Sequence, residues 1–130
     1  IIDRMFFEND MYIPMELKTG PWKDYKVTSM RKEMAFYKLL FDNAPEELLH
    51  SVGLSRDYDM KMWGWYYPVS NHITVEPVKK TSHTAVMKGI ARLIHSYEQE
   101  MFPTKFNART CATCSYFGIC DAADLYGWGE

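Results

Sequence analysis

Several things are scarce in this sequence, and each shortage removes a class of protein. No apolar run approaches the roughly 20 residues that a membrane-spanning helix needs, and no basic start leads into an apolar signal stretch. The expectation is a cytoplasmic protein with no membrane partner. Positive charge is not in excess: 15 Lys and Arg stand against 17 Asp and Glu, a net charge of -2, which does not by itself suggest nucleic acid. Internal repeats and low-complexity tracts are missing, which argues against a solenoid. Cysteine is limited to three residues, all inside one ten-residue stretch, where a disulfide framework would scatter or pair them. The chain also has no initiator Met. It opens on Ile-Ile-Asp, already strand-like, so a preceding segment is expected in the natural protein.

The 130 residues, 15.3 kDa, form one domain's worth of chain, and 47% hydrophobic content supplies a core. The first stretch, IIDRMFFENDMYIPMELKTG, reads as two strands joined by a polar turn at Glu8-Asn9-Asp10. Strand side chains alternate, so Glu16 and Lys18 share one face, their Cα atoms about 7 Å apart, while Met15 and Leu17 are expected to face the core. Pairing the strands brings Asp3 towards Glu16. Two carboxylates and a backbone carbonyl can hold magnesium or manganese with positions left for water and a phosphate oxygen. The ammonium beside them can orient or deprotonate the water, or balance charge on the phosphate. The same triplet also describes a half-buried hairpin with a surface ion pair.

Charge is unevenly placed despite the even total. Lys18, Lys23, Lys26, Arg31, Lys32 and Lys38 face only Asp24 and Glu33 between them, a local basic zone beside the carboxylates. It serves either as a binding surface or as a solvated helix face.

Pro14 cannot donate to a strand ladder and argues for an edge position or a bulge. A helix is predicted from about Ser29 to Asp42, with Met30, Met34, Tyr37, Leu40 and Phe41 as its buried stripe and Glu33 and Tyr37 on one face. A short helix follows from Pro45 to Leu49, closed by Gly53. Between Tyr58 and Lys79 two strands are predicted. Their aromatics could stack on bases, but core packing is the favoured reading. A helix over about Ser82 to Met101 carries the stripe Val86, Ile90, Leu93, Ile94, Tyr97 and Met101, with Pro103 ending it.

The cysteines read Cys111-Ala-Thr-Cys114-Ser-Tyr-Phe-Gly-Ile-Cys120. A CxxC sets two thiolates on one metal within a tight turn, and a third can close in from the next. Three ligands are one short of four. His50, His72, His83 or His95 could complete a zinc site, but none has finger-like spacing; a cysteine before Ile1 is the simpler source.

Taken together, IIDR, then ELKTG, then a helix bearing KEMAFY, then a terminal CxxCx5C resembles the RecB-like branch of the PD-(D/E)xK nucleases, those with an iron-sulfur cluster. The nearest patterns are the CRISPR-associated RecB-like exonucleases and the nuclease domains of AddB-type helicase-nucleases. The resemblance implies an α/β restriction-endonuclease-like core over 1–110, a small mixed sheet flanked by helices, its N-terminal part missing. A cysteine metal knot would occupy 111–130. It further implies a metal-dependent DNA exonuclease. Asp3, Glu16 and the Leu17 carbonyl would hold magnesium or manganese, with Lys18 assisting the attacking water. Tyr37 would match the tyrosine of a QxxxY motif whose glutamine is here Glu33. Cys111, Cys114 and Cys120 would bind a structural [4Fe-4S] cluster, with zinc as the alternative. Lys23, Lys26, Arg31 and Lys32 would contact DNA, single-stranded or at an end, and a helicase or CRISPR-adaptation partner is implied. The rival expectations are a non-catalytic DNA-binding or assembly module of the same fold and an unrelated zinc-binding domain.

Overall fold

Alternation of apolar and polar residues near the start produces a hairpin: β1 (Arg4–Glu8) and β2 (Met11–Leu17) pair antiparallel from Arg4↔Met15 to Glu8↔Met11. The turn is Asn9-Asp10, both at positive φ (49° and 54°), as a two-residue connection that follows strand twist requires. Asn and Asp tolerate that region better than other side chains with a Cβ.

These features come from a computed structural model that describes residues 2–102, 104 and 106–121. Ile1, Pro103, Lys105 and residues 122–130 of the expected cysteine segment lie outside the described residues. The chain forms two units, Ile1–Ile90 and Ala91–Glu130.

The first unit is a mixed α/β layer. After β2 the chain crosses through α1 (Val27–Asn43) and α2 (Glu46–Ser51) and returns as β3 (Met62–Tyr67), parallel to β2 from Met15↔Gly64 to Leu17↔Tyr66. A parallel pair demands such a crossover, and a helix is its usual form. β4 (His72–Pro77) then pairs antiparallel with β3, giving the order β1-β2-β3-β4. Gly53, at φ 78°, stops α2: its N–H donates to His50 O and that of Leu54 to Leu49 O.

Pro14 does not mark an edge. It is buried in the inner strand β2, at a gap in hydrogen bonding to the next strand: the Tyr12 N–H reaches Asp59 O, and the β2–β3 ladder resumes only at Met15. Its missing donor falls where the ladder has no partner for it.

The core lies between α1 and one sheet face. Met30, Met34, Ala35 and Tyr37 from the helix pack on Trp63, Trp65 and Tyr67 from β3. Both tryptophans are fully buried, so these aromatics are core and not a stacking platform. Phe41 joins Tyr12, Leu49 and Met60 in a second cluster. Leu40, expected in the stripe, is 52% exposed; at 100° per residue it sits off the arc set by Met30, Met34, Tyr37 and Phe41.

The strand faces are reversed relative to expectation. Tyr12, Pro14 and Glu16 point to the face covered by α1, and Leu17 is exposed. Met15 is nonetheless buried, on the other face, where it fills the space left by Gly64: a Cβ built there would meet Met15 Cε at 2.9 Å and Thr74 O at 2.5 Å.

α3 (Lys80–Glu98) begins in the first unit, where Val86 packs on the core. The apolar stripe beyond is not buried among the described residues: Leu93, Ile94, Tyr97 and Met101 are all exposed. In the second unit, α4 (Ala108–Cys111) is capped by Asn107, whose side chain accepts from the Thr110 N–H at 3.1 Å. Among the described residues no helix is long and apolar enough to cross a membrane.

Candidate active site

Period-two alternation on β2 sends both Glu16 and Lys18 towards α1, and the i,i+4 spacing of Glu33 and Tyr37 brings those two down to meet them. The Lys18 Nζ donates to Glu16 Oε1 at 2.7 Å and to Glu33 Oε1 at 2.9 Å. The Tyr37 hydroxyl lies 3.3 Å from Glu16 Oε2 and 3.5 Å from Glu33 Oε1. Glu16 is the buried acid of this group, only 6% exposed, and its register partner on β3 is Trp65. A carboxylate in that setting requires partners for both oxygens, and it has them.

Asp3 arrives from the residues just ahead of the partner strand. Arg4 opens β1 and pairs with Met15, which leaves Asp3 beyond the end of the ladder on the Glu16 side. Its Oδ2 accepts the Leu17 N–H at 2.9 Å. The opening carboxylate is therefore anchored one residue along from Glu16, at the open end of the sheet.

The electrostatics keep both donors protonated, one as a cation and one as a neutral hydroxyl. Burial works against charge on Lys18, but hydrogen bonds to Glu16 and Glu33 outweigh it and raise its pKa above the ordinary lysine range. It stays an ammonium, suited to orienting water or balancing phosphate charge and not to taking a proton in this state. Tyr37 is pushed up to about 12, by burial first and then by the charges of Glu16 and Glu33. It stays a neutral donor.

The donor chemistry of Asp3 and Glu16, all oxygen, fits a hard divalent cation. One oxygen of Glu16 is taken by Lys18, and among the described residues no group of three or more His, Cys, Asp or Glu side chains is placed to hold a metal ion. A cation here would share the Glu16 carboxylate with Lys18 and compete with that contact.

No protein-family model matches this chain, and no curated protein matches it significantly.

The expected basic patch is divided. Lys26 donates to Pro21 O at 2.6 Å and lies 5.1 Å over the Tyr67 ring, bracing the loop that follows Lys18. Arg31 forms a two-point pair with Glu76 on β4, Nε to Oε1 and Nη2 to Oε2, both at 2.7 Å. Lys23 and Lys32 are exposed. The i,i+4 spacing of Glu33 and Tyr37 places them on one helix face in the sequence; what the spacing does not reveal is that Glu33 pairs with Lys18 at the end of β2.

All three cysteines are free thiols. Cys111 lies at the end of α4, its Sγ 3.5 Å from the Asn107 N–H, and Cys114 follows one turn later, its N–H donating to Cys111 O. Their soft sulfur chemistry suits iron or zinc, but together they are not among groups placed to hold a metal in the described residues. Among the histidines that could supply a fourth ligand, His72 is stacked on Trp22 at 4.1 Å and its Nε2 meets Thr74 Oγ1 at 3.0 Å.

Proposed function

We propose that this chain is a divalent-metal-dependent deoxyribonuclease with a restriction-endonuclease-like core, acting from DNA ends or on single strands. The observation that carries the reading is the meeting of Glu16, Lys18, Glu33 and Tyr37 at the end of β2, with Asp3 held at Leu17. The β-hairpin, crossover helix and parallel return support that core.

Asp3, Glu16 and the Leu17 carbonyl would hold the cation, which when bound neutralises phosphate charge and makes a water more acidic. Lys18, kept protonated by its two glutamates, orients that water and offsets charge on the attacked phosphate. Glu33 keeps the ammonium close to β2 when it leaves Glu16. Tyr37, a neutral phenol, steadies the Glu16 carboxylate. The thiols of Cys111, Cys114 and Cys120 would supply three ligands to a structural iron-sulfur cluster, with a fourth from elsewhere.

The test is cleavage of end-labelled DNA by the full chain with manganese. Glu16→Gln and Lys18→Ala are each expected to lower the rate by about 100-fold or more. A wild-type rate in both overturns the assignment. One observation favours a second reading: the Lys18 bridge between Glu16 and Glu33 is a satisfied ion-pair cluster, as a non-catalytic DNA-binding module could keep. Salt-dependent binding without metal-dependent cleavage would select it.

A further inference from the structure

Helix residues advance by about 100°, so Arg31 leaves α1 on nearly the opposite side from Glu33. There the first turns of α1 and α3 flank a cavity of about 410 Å³, lined by Thr28, Arg31, Lys32, Lys79, Thr81 and Ser82. The lining holds three cations and three hydroxyls, with no carboxylate. Lys79 comes from a part of the chain remote from the basic zone in the sequence; the fold brings it to Arg31 and Lys32.

Arg31 is preset for an anion. Its Nε and Nη2 are held by Glu76 at 2.7 Å each, and Glu76 Oε1 also accepts from Trp63 Nε1 at 3.1 Å. A guanidinium has five N–H bonds and this pair uses two, so three remain on a group already fixed in place. With Glu76 included, Arg31, Lys32 and Lys79 leave a surplus of two positive charges at the cavity. Because Lys79 O accepts from Ser82 N–H and His83 N–H, Lys79 is tied to the start of α3.

We propose that this cavity binds a phosphate group of a nucleic-acid backbone. A planar carboxylate is satisfied by one guanidinium edge, whereas donors arriving from two helices and the strand-to-helix join suit a tetrahedral anion with several oxygens. Lys32 and Thr81 are exposed at its rim, which leaves room for a ligand that continues past the cavity. The phosphate chemistry stands on these residues alone; the choice of nucleic acid over a free anion rests on the proposed function.

The experiment is fluorescence anisotropy of a labelled single-stranded oligonucleotide with the full chain, in EDTA so that nothing is cleaved, between about 50 and 200 mM salt. Lys32→Gln with Lys79→Gln is expected to weaken binding about tenfold and to flatten the salt dependence by about 0.7 for each phosphate no longer neutralised. Thr81→Glu, which sets a carboxylate at the exposed rim, is expected to weaken it at least as much, with thermal melting unchanged in both. Wild-type affinity and salt slope in these variants overturn the proposal. Direct binding of inorganic phosphate, read by calorimetry, that disappears in the variants while oligonucleotide binding is unaffected also overturns it and identifies a free-anion site. A chain that binds through the cavity but cleaves nothing with manganese leaves this proposal standing and removes the nuclease reading.

Discussion

At the scale of single residues, Glu16 controls the arrangement. A carboxylate 6% exposed beside a buried tryptophan is tolerable only while Lys18 and Tyr37 complete it. Lys18→Ala removes the charge partner, and because Lys18 is about a third exposed, water can take over part of its role. The expected loss is about 1–3 kcal/mol, below that of a fully buried pair, read from denaturant unfolding. Tyr37 gives a pH signature. Its pKa is raised to about 12, so the folded state holds a proton that the unfolded phenol releases near 10. Its contribution to stability is complete below pH 10 and declines as pH rises towards 12; ultraviolet titration should show one tyrosine that titrates above the ordinary range vanish in Tyr37→Phe. Much of this group is legible in the sequence: a two-residue period unites Glu16 with Lys18, and a four-residue step unites Glu33 with Tyr37. Alternation cannot say which face is covered. That depends on where α1 packs, and for this reason Leu17, expected inside, is exposed.

At the scale of elements, the β2–α1–β3 crossover positions the site, and ion pairs away from the site tie α1 to β4 and to the segment ahead of β3. Arg31 pairs with Glu76 on β4, and Lys38 reaches Asp42 at 2.6 Å and Asp59 at 3.1 Å, ahead of β3. Arg31 lowers the Glu76 pKa, against opposing burial and with help from Trp63. For Asp59, burial pushes the other way, but Lys38 and the Met60 N–H bring it down. Both contributions are present above the ordinary carboxylate range and disappear as pH falls through the lowered folded values. Glu76→Gln is expected to be less stable by about 1–2 kcal/mol at neutral pH and to lose less stability on acidification than wild type; an unchanged acid profile would contradict this. Gly64→Ala would drive a methyl to within 2.5 Å of Thr74 O, a backbone atom between paired strands. A loss of about 1–3 kcal/mol is expected in thermal or denaturant unfolding. The helices and strands are recognisable from periodicity, with ends displaced by a few residues. Pro14 is not, because a gap in one ladder looks, in sequence, the same as an edge.

At the scale of the whole molecule, what is legible thins out after Ile90. The stripe Leu93, Ile94, Tyr97 and Met101 has strong helical periodicity yet is exposed among the described residues, since periodicity defines a face and not its partner. The CxxCx5C spacing likewise points to a metal through sulfur chemistry alone. Anaerobically purified chain is expected to contain iron and acid-labile sulfide; stoichiometric zinc without iron would contradict the cluster and favour a zinc knot. The proposed nuclease needs Asp3, just ahead of β1, and Glu16, on β2, to serve one cation. The decisive experiment is manganese titration of the full chain followed by electron paramagnetic resonance. Tight binding of one ion per chain, abolished alike in Asp3→Asn and in Glu16→Gln, is the predicted result. Binding that survives both substitutions would contradict it.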